Sequence, residues 1–108
     1  MSTRLFALDC LQPTDYLRPE SMLFLSSLSF EDLRSLGLPQ VWQVGDSYVI
    51  SDGNNRAAQI VSRGCKETAV DFQGDLFDSM AGFEEIVLER AERLRGEGVY
   101  SVYDLLRI

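Results

Sequence analysis

Apolar and polar positions alternate along this chain in patterns that change every ten to fifteen residues, and each change predicts a new element. The opening Arg4-Leu5-Phe6-Ala7-Leu8-Asp9-Cys10-Leu11 reads as a strand, stopped by Gln12 and Pro13. Pro19 and Glu20 suit a helix first turn, because proline lacks only an N–H that would be orphaned there. Met22, Leu23, Phe24, Leu25 and Leu28 predict that this helix is largely buried. A second short helix follows, with Ser29 as N-cap and Asp32 three residues on, a capping-box-like pair. It carries Phe30, Leu33 and Leu36 inward. Gly37 is a good residue to end it, and Pro39 prevents continuation.

Val41-Trp42-Gln43-Val44 and Ser47-Tyr48-Val49-Ile50 flank Gly45-Asp46, a two-residue loop whose glycine can take positive φ, so this stretch predicts a hairpin. Trp42 and Tyr48 suit cross-strand aromatic packing within it, or stacking on a planar ligand. Ser51-Asp52-Gly53-Asn54-Asn55-Arg56 leads into Ala57, Ala58, Ile60 and Val61 at helical spacing, Gly64 closes that helix, and Thr68 to Phe72 resumes strand character. Residues 73–82 read as a polar linker anchored by Phe77 and Met80. From Phe83 the pattern is strongly helical, with Phe83, Ile86, Val87, Ala91 and Leu94 on one face. Glu84, Glu85, Glu89, Arg93 and Arg95 lie outside, and the run Glu84, Glu85, Glu89, Arg90, Glu92, Arg93 and Arg95 reads as a solvated, ion-paired face or a surface for a partner. Ser101 and Asp104 open a last short helix. The order predicts a small α+β domain with a mixed sheet and short helices. It is one domain over 1–108, with a core over 1–72, a linker over 73–82 and a C-terminal helical extension over 83–108.

Composition narrows the chemistry. The 108 residues carry 10 basic and 17 acidic side chains, a formal charge of -7, which repels nucleic acid and anionic lipid unless the arginines gather locally. Clustering of Arg18, Arg34, Arg56 and Arg63 on one face would be needed for direct DNA binding, which the charge disfavours. Histidine is absent, so no histidine-based triad, dyad or zinc site can be built from this chain. Two cysteines, Cys10 and Cys65, fall short of a disulfide framework or a four-thiolate centre and read as small hydrophobes; neither zinc nor haem is expected. No apolar run is long enough to span a bilayer or to make a signal peptide, so the expectation is a soluble, reduced, cytoplasmic domain with no membrane partner.

One turn stands out chemically. A strand running into glycine and then a helix leaves several backbone N–H groups pointing one way, with the positive end of the helix dipole behind them. Gly53 lets a ligand approach the backbone, and Arg56 can add a bidentate grip on phosphate. Asp52 can hold a metal ion or accept a proton from a hydroxyl, with Asp71 as a second carboxylate for magnesium. The same residues also make an ordinary helix-capping turn with Arg56 on the surface, and both readings stand at this point.

Gly37-Leu38-Pro39, the hairpin Val41 to Ile50, Asp52-Gly53-Asn54-Asn55-Arg56-Ala57-Ala58, Gly64 and the strand Glu67 to Phe72 together resemble the ParB N-terminal-like, or ParB/sulfiredoxin, superfamily, whose signature has the form D/E-G-x-x-R-x-x-A. The resemblance implies that fold and a phosphate-gripping loop, with Gly53, Asn54, Asn55 and Arg56 binding nucleotide phosphates and Asp52 as the leading acid. The reactive cysteine and histidine of sulfiredoxin stand here as Asn54 and Asn55, which excludes that activity. The implied ligand is a nucleoside di- or triphosphate with magnesium, or another phosphate. The implied functions are a stand-alone nucleotide-binding domain acting as a magnesium-dependent phosphotransferase or nucleotide hydrolase, or a non-catalytic interaction module. The second alternative includes a DNA-partition-related accessory protein, with a protein partner or homodimer.

Overall fold

Alternation is cleanest in the hairpin, and the hairpin holds the middle of the sheet. The computed structural model describes residues 2–79 and 82–108. Strand β3 (Gln40–Val44) turns through Gly45-Asp46 into β4 (Ser47–Asp52), with Gly45 at φ +60°. Strand β5 (Glu67–Asp75) joins parallel to β3, and β1 (Ser2–Ala7) joins antiparallel to β5. The two-residue β2 (Leu11–Gln12) lies parallel to β4, which gives the order β1-β5-β3-β4-β2. The protein is a small α+β domain with a mixed five-stranded sheet and short helices.

Because successive strand residues face opposite ways, Ile50 and Val49 enter different cores. Val41, Ile50, Val70 and Phe72 meet Ala57 and Ala58 of α3 (Asn54–Ser62) and Val102 of α5 (Val102–Leu105). Val49, flanked by Trp42 and Val44, meets Leu76 and the Val87 and Ala91 of α4 (Glu84–Gly96). The sheet is thus covered on both faces. Helix α1 (Pro19–Ser26) packs on α3, and α2 (Phe30–Ser35) follows, its first turn capped by Ser29 Oγ, which accepts the Asp32 N–H at 3.1 Å. No helix among the described residues is long and apolar enough to cross a membrane.

Several sequence expectations give way to tertiary packing. The opening strand breaks at Ala7 into a 3₁₀ turn over Leu8–Cys10, and β1 and β2 end on opposite edges of the sheet. Leu8 and Leu11, three apart, both enter the same core, which a continuous strand cannot achieve. Helix α1 is not largely buried: Leu25 is, while Leu23 is 75% and Phe24 57% exposed, since consecutive apolar residues point around a helix rather than to one side. Phe30 and Leu36 of the next helix also remain exposed. Trp42 and Tyr48 do not stack on each other. Trp42 stands opposite Val49 and packs edge-on against Phe83, while Tyr48 packs on Phe6 and Phe72 across the sheet.

Residues 73–75, read as linker, continue β5, and a 3₁₀ turn over Leu76–Asp78 follows, begun by Asp75 Oδ1 accepting the Phe77 N–H at 2.8 Å. The anchor there is the fully buried Leu76, not Phe77, which is exposed; Met80 lies outside the described residues. On α4, Leu88 rather than Ile86 flanks the buried Val87 and Ala91. At α5 the Ser101 side chain does not cap; instead Asp104 Oδ2 accepts the Tyr100 N–H at 2.9 Å.

Candidate functional site

Gly53 sets the geometry of the turn after β4. Its φ of +96° lies in the left-handed region, and a Cβ there would stand 3.0 Å from both the Pro39 Cα and Arg56 Nη2. The chain then enters α3 with no side chain capping its first turn, so the N–H groups of Asn54, Asn55 and Arg56 lie at the positive end of the helix dipole.

The side chains of the same three residues fix what surrounds them. Buried Asn54 accepts the Thr14 backbone N–H at 2.9 Å and donates to Thr14 Oγ1 at 3.2 Å, while that hydroxyl donates to the Ile50 carbonyl at 2.6 Å. Asn55 Oδ1 accepts the Arg18 N–H at 2.9 Å. The two asparagines therefore hold residues 14–18 against the start of α3. Arg56 is folded back rather than extended. Its Nη1 donates to the carbonyls of Leu36 at 3.0 Å and Gly37 at 2.7 Å, at the C-terminal end of α2 where a cation is favoured. Its Nη2 donates to Asp52 Oδ2 at 3.0 Å, and the side chain is 16% exposed against 68% for Asp52.

A cleft of about 440 Å³ opens over this turn. Residues 51–56 line it, together with Thr14, Asp15, Arg18 and Ser21, the apolar Phe24, Leu25 and Leu36, and Arg90 from α4. Three arginines from separate parts of the chain thus share one cleft with a helix N-terminus. Arg18 makes an exposed 3.8 Å ion pair with Asp15, and Arg90 makes no ion pair among the described residues. Asp15 and Asp52 both line the cleft, Asp15 paired with Arg18 and Asp52 with Arg56.

The structure brings Asp52, Gly53, Asn54, Asn55 and Arg56 together in the cleft. It does not bring Asp71 there. In the sheet, Gln40 pairs with Asp52 on one side and Asp71 on the other, so β3 separates the two acids by two strand spacings, roughly 10 Å. Among the described residues no group of three or more acidic or cysteine side chains is placed to hold a metal. Arg90 is a lining residue that sequence reading does not place in the site: 34 positions from Arg56, in a run of alternating charges, it carries no local signal of the cleft, and only the packing of α4 on the sheet delivers it. Phe24 is missed for a related reason, since its apolar run reads as core.

Among solved structures the chain is similar to protein Atu1540 from Agrobacterium tumefaciens, with a TM-score of 0.57 and 17% identity, over 85% of this chain and 48% of that one. The chain spans about half the length of that protein, and a likeness at this identity concerns the fold alone. No family model and no curated protein matches the chain.

Proposed function

We propose that this protein binds a phosphate-bearing ligand, a nucleoside di- or triphosphate, in the cleft at the start of α3. The observation that carries this reading is the meeting of Arg18, Arg56 and Arg90 over an uncapped helix N-terminus, in a chain whose formal charge is -7. Backbone N–H groups and dipole favour an anion there, and guanidinium forks match phosphate oxygens. Phe24 and Leu36 add apolar surface suited to the uncharged part of such a ligand. The resemblance of residues 37–72 to the ParB/sulfiredoxin superfamily supports a nucleotide in particular. Asp52 and Asp15 would serve a magnesium ion carried in with the phosphates. Asp52 would position an acceptor hydroxyl in a phosphotransferase, or water in a hydrolase, chemistry that rests mainly on positioning and charge neutralisation.

Thermal unfolding with a panel of nucleoside di- and triphosphates, with and without magnesium, tests the reading. Ligand at a hundred times its dissociation constant stabilises the folded state by about 2.7 kcal/mol, a rise of several degrees. Arg90→Ala is the informative variant, because Arg90 makes no ion pair among the described residues and its loss spares the fold. Affinity is expected to fall several-fold in it and to weaken with added salt. Absence of any shift across the panel, inorganic phosphate included, rejects the reading. A non-catalytic interaction module is the second reading, favoured by the exposed Leu23, Phe24, Phe30 and Leu36 along α1 and α2.

A further inference from the structure

On the other side of Arg56 lies a second cavity, of about 250 Å³, which shares no lining residue with the cleft except Arg56 itself. Its walls are mostly apolar: Leu33, Leu38, Pro39, Ile60 and Ala69, drawn from α2, the loop after it, α3 and β5. Phe30 stands at its edge, its ring held by the Arg63 guanidinium 4.8 Å above the centroid. A closed, wholly apolar cavity of about 150 Å³ holds benzene, so this larger, partly open one has room for a six-membered ring with a small substituent. Its polar side chains are Arg34, Arg56, Cys65, Glu67 and Thr68. Arg56 uses three N–H contacts on Leu36, Gly37 and Asp52, which leaves two of its five donors uncommitted. Arg34 makes no ion pair among the described residues, and the exposed Leu5 and Glu67, the buried Thr68 and the partly buried Cys65 complete the lining.

We infer that this cavity binds a monocyclic apolar molecule bearing one hydrogen-bond acceptor, its ring between Leu33, Pro39 and Ile60 and its carbonyl or carboxylate oxygen toward Arg56 and Arg34. The site shares Arg56 with the cleft but does not require a phosphate to bind there. Apolar walls supply the burial, and a guanidinium with spare donors in a largely apolar cavity supplies the selection for an acceptor.

Cys65 provides the readout. In a Cys10→Ser background, the rate of Cys65 modification by a disulfide reagent is measured with benzamide, benzoate and toluene as probes. A probe that covers the thiol at ten times its dissociation constant slows modification about tenfold. Benzamide or benzoate is expected to give saturable protection, with amide NMR shifts at Leu33, Ile60 and Ala69, and toluene to need a several-fold higher concentration. Ala69→Leu, which fills the cavity, is expected to abolish the effect; Cys65→Met, read by the same NMR shifts, serves if the first variant does not fold. No saturable protection or shift from any probe overturns the site. Protection by toluene at the same concentration overturns the acceptor assignment. Shifts at Asn54 and Asn55 without protection of Cys65 place the probe in the cleft and also overturn it.

Discussion

Arg56 does two things that a free phosphate ligand for the cleft would not require. It closes the C-terminal carbonyls of α2 through Leu36 and Gly37, and it ties Asp52 to the start of α3. Hydrogen bonds to a charged donor are each worth about 1.5–3 kcal/mol, though not additively. Arg56→Ala is therefore expected to destabilise the fold by about 2–4 kcal/mol, a Tm loss of roughly 10 °C or more for a domain of this size. Arg56→Lys keeps a charge but not the fork, and should fall between the two. An Arg56→Ala protein that melts like wild type would show that the guanidinium only lies against α2 and is free to grip a ligand. This is why Arg90, and not Arg56, separates binding from folding. Gly53 is bound to the same geometry: Gly53→Ala sets a Cβ 3.0 Å from the Pro39 Cα at φ +96°.

Helix α3 carries that logic one step further along the chain. Arg63, two turns after Arg56, donates to the carbonyls of Leu25 at 2.9 Å and Leu28 at 2.6 Å, at the C-terminal end of α1. Two arginines seven apart, Arg56 in the first turn of α3 and Arg63 at its C-cap, thus fasten the ends of α1 and α2, which bury little apolar surface of their own beyond Leu25 and Leu33. Arg63→Ala is expected to cost about 1–3 kcal/mol and to raise amide exchange in α1 and α2 ahead of the sheet. Uniform loss of protection across the molecule would contradict the local role. The hairpin and the capped start of α2 were legible in sequence because period two, Gly45 and Ser29 are local signals. Gly53 to Arg56 were legible as a turn because strand, glycine and helix follow one another directly. The burial of α1 was not, because Met22 to Leu25 form an unbroken apolar run with no preferred face, and what holds the helix is a guanidinium 38 residues away from Leu25. The break at Ala7 was hidden too, since only the position of the sheet tells Leu8 to leave the strand.

At the scale of the whole molecule, the segment after residue 82 decides whether the sheet has one covered face or two. Val87 and Ala91 close over Val49 and Leu76, while Leu94, Val99 and Leu105 form a third cluster against Leu17. Val102 enters the main core itself. Polar groups bind the same parts: buried Gln12 on β2 donates to the Val99 carbonyl at 3.0 Å and accepts from Arg95 Nε at 3.1 Å. Without α4 and α5, Val49 and Leu76 meet water and Gln12 keeps only the carbonyl of its neighbour Pro13, a combination of exposed apolar area and lost polar contacts. A chain ended at residue 82 is therefore expected to lose its cooperative unfolding transition, not merely to shift it. Trp42 reports on this directly, because its ring packs on Phe83 at 5.4 Å between centroids. Near-ultraviolet circular dichroism and urea unfolding followed by Trp42 fluorescence are the measurements. A sharp transition in the shortened chain would show that residues up to 82 fold by themselves on one covered face, with α4 serving to bring Arg90 to the cleft. A broad, featureless profile would show that the segment bringing Arg90 to the cleft also makes the sheet stable, so loss of Arg90 by truncation and loss of the fold cannot be separated.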